Sequence, residues 1–284
     1  MYQHRAAPGG LRGKTVLLTG ATQGMGFRLA FLLAARGATL LLHGRDQQRL
    51  AAAAGAIRTQ APEASVRTYR ADLADLEQVS TLADTVLSVE PRLDALVNNA
   101  AVGGGIDPTV RQTSRQGHEL RFAVNHLAPY VLTRRLLPLL VASAPSRVVN
   151  VASAGQAPIR FDDVMLERDY DGVQAYCRSK LALLMATFDL AADSVPHEFT
   201  VNALHPAHLM DTSMVRQSGF APAATLDEGA RPTLRLIADP ELDNTTGRYF
   251  DRYDDQLAHP QAYDAHARAR LAALTTNLTA PFLA

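Results

Sequence analysis

Short apolar runs alternate with helix-periodic stretches from Thr15 to Leu204, and this alternation limits the possible folds more than any other property of the chain. Thr15 to Thr19 is an apolar run that stops at Gly20, as a buried strand does. Phe27 to Arg36 has helical periodicity and stops at Gly37. Thr39 to His43 reads as strand, Asp46 to Gln60 as helix with Asp46 as its N-cap, and Ser65 to Arg70 as a third strand. Asp75 followed by Gln78 resembles a capping box for the next helix. The pattern goes on with Asp94 to Asn98 (strand), Gln116 to Leu140 (mainly helix, interrupted by Pro129 and Pro138) and Arg147 to Val151 (strand). Tyr176 to Asp193 (helix) and Phe199 to Leu204 (strand) complete it. Strand–helix alternation implies parallel strands, right-handed crossovers and helices on both faces of one sheet. The expected fold class is therefore α/β, a doubly wound parallel sheet in a single domain, with its crevice at the carboxyl ends of the strands.

The chain has 284 residues, enough for one sizeable domain that needs no disulfides, and its single cysteine, Cys177, permits none internally. Formal net charge is zero, so no general attraction to nucleic acid or an anionic membrane is expected. No apolar run approaches the roughly 20 residues that span a bilayer, and Met1 to Gly10 lacks the apolar core of a signal peptide. These features predict a soluble, cytoplasmic protein. Residues 1–12 are expected to be a flexible tail, and 13–284 one dinucleotide-binding unit. The histidines, including His43, His118, His126 and His205, have no metal-ligand spacing, so no metal is expected.

Gly20, Gly24 and Gly26 lie between the first strand and the first helix, with Thr22, Gln23 and Met25 among them. Glycine lets the backbone turn tightly and approach a pyrophosphate, and a helix N-terminus offers N–H groups to the anion. A tight turn without a ligand needs fewer glycines. The second strand ends at Arg45, where an acidic residue would suit a ribose 2′-hydroxyl and an arginine suits a 2′-phosphate. This predicts NADP(H) over NAD(H).

Tyr176 and Lys180 stand four residues apart, on one face of the expected helix. A nearby ammonium favours an ionised phenol, which a tyrosine acid/base needs at neutral pH. An isolated tyrosine and lysine at this spacing would more simply be a core ring and a solvated charge. Cys177 is expected to pack as a small hydrophobe.

Taken together, Thr19–Gly26, Asp72-Leu73, Asn98-Asn99-Ala100, Asn125, Ser153, Tyr176-x-x-x-Lys180 and His205-Pro206 resemble the short-chain dehydrogenase/reductase family, in order and spacing. The resemblance runs from Lys14 to about Phe250 and implies a Rossmann-type fold. It implies a catalytic set of Asn125, Ser153, Tyr176 and Lys180. Tyr176 would exchange the substrate proton, and Lys180 would lower the tyrosine pKa and hold the nicotinamide ribose. Ser153 would hydrogen-bond the substrate oxygen, and Asn125 would order a water linking Lys180 to solvent. For the cofactor it implies Gly20 to Gly26 with Arg45, Asp72 and Leu73 beside the adenine, Asn99 and Ala100 on the adenosine side, and Pro206. It also suggests a homodimer or homotetramer through the 116–140 and 176–193 helices.

The chain departs from the family pattern at Ala101, at Ala207, and at Thr212, which lies one position late for a nicotinamide contact. A longer Gly155–Asp163 segment and the Ala175–Lys180 sequence look like the retinol-dehydrogenase-like branch, whose members often reduce bulky apolar carbonyls. Substrate loops are expected at about 154–172 and 207–225. Ile159, Phe161, Leu209, Met210 and Met214 would either wall an apolar pocket or make minor core contacts. Phe220 belongs to the same expected wall. The resulting expectation is hydride transfer between NADP(H) and a carbonyl/secondary-alcohol substrate. The alternatives are a non-catalytic dinucleotide-binding regulator and an NAD-dependent alcohol dehydrogenase.

Overall fold

The computed structural model describes residues 10–103, 107–194 and 198–283. One sheet organises them: β1 (Thr15–Leu18), β2 (Thr39–Gly44), β3 (Val66–Arg70), β4 (Ala95–Asn98), β5 (Ser146–Val151), β6 (Phe199–His205), β7 (Tyr249–Asp251) and β8 (Asp254–Gln256). Their spatial order is β3-β2-β1-β4-β5-β6-β7-β8, parallel through β7, with β8 antiparallel at the edge. The doubly wound sheet expected from the sequence is thus present. β7 and β8 were not anticipated, because three-residue strands leave too little periodicity to read.

Strand side chains divide between two cores according to their alternation. Leu17 and Leu41 point to one face, while Val16, Leu18, Leu40 and Leu42 point to the other. The first face is covered by α3 (Leu76–Val89), α5 (Ala128–Ala142), α6 (Gly172–Ala192) and α9 (Ala265–Thr279). The second is covered by α1 (Gly24–Ala34), α2 (Gln47–Gln60) and α8 (Leu226–Ala238). A short α7 (Ser213–Gln217) lies between β6 and α8.

Several boundaries differ from the sequence reading for local reasons. The fourth helical region begins at Leu120, not Gln116, because Gly117 is left-handed (φ 81°) and Glu119 caps the helix on Phe122 N. From α4 (Leu120–Phe122) the chain passes through a π-helical turn, Ala123–Leu127, into α5. Pro129 falls in the first turn of α5, and Pro138 is accommodated inside it. Asp46 caps α2 as expected, accepting from Gln48 N and Arg49 N. Asp75 caps α3, but Gln78 sends its Oε1 to Asp72 N, so no reciprocal box forms. Of the expected tail, residues 1–9 lie outside the described residues, and Leu11 is buried in the second core.

Candidate active site

The topological switch point lies between β1 and β4, where the winding reverses. The two strand ends are bonded together there. Thr19 Oγ1 accepts from Asn99 N (2.9 Å) and Ala100 N (3.0 Å), while Asn99 Nδ2 donates to Thr19 O at 2.7 Å and Gly20 O at 3.2 Å. Asn99 therefore braces the glycine turn from below. Gly20 and Gly24 are both left-handed (φ 67° and 55°), a conformation that L side chains rarely adopt. A Cβ on Gly26 would overlap the Gly20 carbonyl oxygen and stand 2.5 Å from Asn99 Nδ2.

Helix α1 begins here with no side-chain cap and no acidic residue in its first turn. Asp46, Asp75 and Asp171 cap α2, α3 and α6. Helix α5 also lacks a side-chain cap, but it continues directly from the π-helical turn, so its first N–H groups are not left open as those of α1 are. Unpaired N–H groups above a glycine turn form an anion site. The turn thus fits the pyrophosphate of a dinucleotide, and Gly24, Met25 and Gly26 would hold it.

His43 is a further brace that sequence reasoning considered only as a metal ligand. Its Nε2 lies 3.1 Å from Ala71 O, so that nitrogen carries the proton, and Nδ1 accepts from Gly20 N at 3.4 Å. Burial lowers its pKa to about 4, which keeps the ring neutral and the tautomer fixed. A polar residue at the end of an apolar strand was the available signal for this role.

The cleft over these strand ends has a volume of about 880 Å³. Gly20, Thr22, Gln23, Gly24, Met25 and Gly26 line one stretch, and Arg45, Asp72, Leu73, Asn99, Ala100 and Pro206 continue it. Ser153, Tyr176 and Lys180 line the same cleft. Arg45 is exposed at the rim, and nearby Arg49 donates to Gln23 Oε1 at 3.3 Å. Asp72 is occupied locally, its Oδ1 accepting from Ala74 N at 3.0 Å.

Asn125 does not line the cleft. It is 1 % exposed in the π-helical turn. Its side chain accepts from Val102 N (2.8 Å) and donates to Val102 O and Ser179 Oγ (both 2.9 Å). With all of these contacts made, the side chain locks the β4 loop to α6, and ordering a water would fall to its backbone.

Gly155 brings the chemical groups together. A Cβ there would lie 3.3 Å from Cys177 Sγ, 3.4 Å from Ser153 Oγ and 3.9 Å from the Tyr176 ring. The sequence reading has Lys180 lowering the phenol pKa, but in this geometry burial raises it; contact with Ser153 opposes the rise and Cys177 adds to it. Lys180 Nζ donates to Val151 O at 2.7 Å and lies 5.8 Å from the centre of the tyrosine ring, over its face. Burial pulls the ammonium down to about 7, so near neutrality it holds its charge only part of the time. Cys177 lines the cleft beside Tyr176 instead of packing in the core, and burial raises its pKa, keeping it a thiol.

The expected substrate wall is partly corrected. Ile159 is buried in the first core and Phe161 packs against that core; neither lines the cleft. Leu209, Met210, Met214 and Phe220 do line it. Thr212 caps α7 on Val215 N at 3.3 Å, and its methyl lies over Gly24. Among the described residues no cluster of three or more His, Cys, Asp or Glu side chains could hold a metal ion. No helix among them is long and apolar enough to cross a membrane.

Comparison with known proteins identifies the family. The family model for short chain dehydrogenase matches residues 14–221. Mouse (Mus musculus) retinol dehydrogenase 13 is 36 % identical over 277 residues, covering 91 % of this chain and 81 % of that protein. An uncharacterised protein from Mycobacterium paratuberculosis superposes with a TM-score of 0.76 at 31 % identity, covering 97 % of this chain and 96 % of that one. A short chain dehydrogenase from Escherichia coli CFT073, solved with NADPH, gives 0.72 at 26 % identity over 87 % of this chain and 99 % of that one. The chain belongs to the short chain dehydrogenase family of oxidoreductases, which bind a nicotinamide dinucleotide.

Proposed function

We propose that the protein interconverts a carbonyl and a secondary alcohol with NADP(H), using Tyr176 as the general acid/base. The observation that carries this reading is that Ser153, Tyr176 and Lys180 line one cleft together with the uncapped glycine turn. When bound, the cofactor supplies or accepts the hydride. Tyr176 Oη gives its proton to the carbonyl oxygen in reduction and takes it back in oxidation. Ser153 Oγ hydrogen-bonds the same oxygen as its charge develops. Lys180, poised near neutrality by burial, replenishes the phenol proton. Asn125 keeps α6 and the β4 loop in register beneath them.

Arg45 at the rim supports NADP(H), since Asp46 is committed to capping α2 and leaves the guanidinium as the group for a 2′-phosphate. The NADPH-bound Escherichia coli relative points the same way. Leu120, Val124, Val173, Leu209, Met214 and Phe220 make the substrate end apolar, in keeping with a bulky apolar carbonyl. The segments at about 154–172 and 207–225 serve as substrate loops in this reading, and a homodimer or homotetramer in the cytoplasm remains part of it. Any pairing through the α5 and α6 face would then involve α9, which packs on α6.

NADPH absorbance followed against ketones, aldehydes and quinones of graded size tests the reading. Turnover is expected to fall by at least about 10²-fold in Tyr176→Phe, with NADPH affinity retained. Near-full turnover by that variant would refute the role of Tyr176. Tighter binding of NADH than NADPH would refute the cofactor preference.

A further inference from the structure

Ser153 is also held from behind, by groups outside the cleft. Its carbonyl oxygen accepts from Gln156 Nε2 at 3.0 Å and from Tyr249 Oη at 3.1 Å. The orientation of Gln156 is fixed in turn, because its Oε1 accepts from His259 N at 2.7 Å. Three residues along the loop the arrangement is reversed. Gln261 Oε1 accepts from Ile159 N at 2.7 Å, and its Nε2 donates to Ile159 O at 3.1 Å. One glutamine reaches from the loop to the C-terminal segment and the other reaches back, each using both ends of its amide.

The join is reinforced on both sides. Tyr263 stacks on Phe188 of α6 with ring centroids 5.2 Å apart, and Arg270 lies 4.4 Å over the Phe161 ring. Ile159 and Ala262 are buried within it. Residues 156–161 therefore turn away from the cleft and onto the C-terminal segment, which explains why Ile159 and Phe161 do not wall the substrate site.

The backbone of a serine sets where its Cβ lies, and local hydrogen bonds then choose among the rotamers of its hydroxyl. Fixing the Ser153 carbonyl fixes the line of its Cα–Cβ bond, and Gly155 N, which donates to Oγ at 3.0 Å, then selects where the hydroxyl points. We propose that Gln156 and Gln261 form a latch through which the segment His259–Tyr263 holds the Ser153 backbone, making both glutamines positioning residues for that serine. This rests on the proposed role of Ser153 at the site. A displacement of about 1 Å in a reacting group can slow a reaction by about 10²-fold, so a small loss of order suffices for an effect.

The test uses the full chain, with Gln156→Ala, Gln156→Glu, Gln261→Ala and Gln261→Asn compared with Ser153→Ala. With any carbonyl found turned over, kcat is expected to fall roughly tenfold in each glutamine variant, with NADPH Kd and Tm close to wild type. Gln156→Glu keeps the acceptor for His259 N and loses the donor to Ser153, so it is expected to be as slow as Gln156→Ala. The Gln156→Ala/Gln261→Ala double variant is expected to lose little more than the worse single, since both hold the one 153–161 segment to His259–Tyr263. Hydrogen–deuterium exchange gives a readout free of activity: amides of 153–163 are expected to exchange faster in Gln261→Ala. Wild-type kcat in the glutamine variants beside an inactive Ser153→Ala would overturn the latch and leave the serine's role standing. An active Ser153→Ala would overturn that role itself. Unchanged exchange, or a parallel loss of NADPH affinity, would equally overturn the latch.

Discussion

Gly26 has the least room for a side chain of any glycine lining the cleft. Its backbone passes so close to the Gly20 carbonyl and the Asn99 amide that a single methyl group has no room. Gly26→Ala must therefore open the turn that holds the first-turn N–H groups of α1 together. NADPH Kd is expected to rise at least about tenfold, or 1.4 kcal/mol, when titrated by nucleotide fluorescence. Wild-type affinity would show that the turn does not touch the pyrophosphate. The same turn shows what a local reading could reach. Three glycines in a strand–helix connection are visible in sequence, whereas the Thr19–Asn99 bonds join residues 80 positions apart. His43 is marked locally only as a polar residue in an apolar strand; its partners, Gly20 and Ala71, come from the ends of two other segments.

At the scale of elements, α9 has the largest effect that sequence could not assign. Ala267, Leu271, Thr275 and Thr279 are buried at four-residue spacing, which makes one stripe of the helix face. Small and hydroxyl side chains make up most of that stripe, so its hydropathy gives little signal. Thr275 Oγ1 lies 2.8 Å from His126 Nε2, and Arg268 pairs with Asp189 at 3.2 Å, tying α9 to the π-helical turn and to α6. Leu271 is the one large apolar side chain of α9 that is fully buried, with Leu274 and Leu278 packed partly buried beside it. Leu271→Ala is expected to cost about 2 kcal/mol in urea unfolding, at the low end of such truncations. The low figure follows from a small cavity of about 60 Å³ that already borders this leucine, leaving fewer contacts to lose. No measurable loss would mean that α9 is only loosely docked. The π-helical turn was equally hidden, since its sequence reads as continuous helix. Only the three bonds of the Asn125 side chain to Val102 and Ser179 show what the turn accommodates.

For the molecule as a whole, buried histidines link stability to pH. His43 is lowered to about 4 and His126 to about 3, both by burial. Above pH 6.5 each ring is neutral whether the chain is folded or unfolded, so neither affects stability. As pH falls below 6.5 the unfolded chain takes up protons first, and stability is lost until the folded values are reached. Between pH 6.5 and 5 these two contribute an expected loss of roughly 3 kcal/mol, about half from each, and His118 and His205, also lowered by burial, add to it. Urea unfolding across this range, with His126→Asn reducing the loss over the window by about 1.5 kcal/mol, checks the assignment; a flat profile contradicts it. This window lies above the one in which carboxylates such as Asp94, held low by Arg92 and Lys14 against burial, begin to protonate.

By itself the sequence determined the winding of the sheet through β6, the glycine turn and the order of the chemical residues, because each is written in local periodicity or in spacing along the chain. Tyr176 and Lys180 are in that category: four residues on one helix fix their shared face. Which of those residues meet, and at what charge, was decided by the tertiary structure. Burial raises Tyr176 and lowers Lys180, whereas spacing alone suggested the opposite for the phenol. Ile159 and Phe161 went to the core because Gln261 and Arg270, more than a hundred positions away, hold them there. Desolvation and long-range hydrogen bonds depend on what surrounds a group in space, and a linear chain does not record its surroundings until it folds.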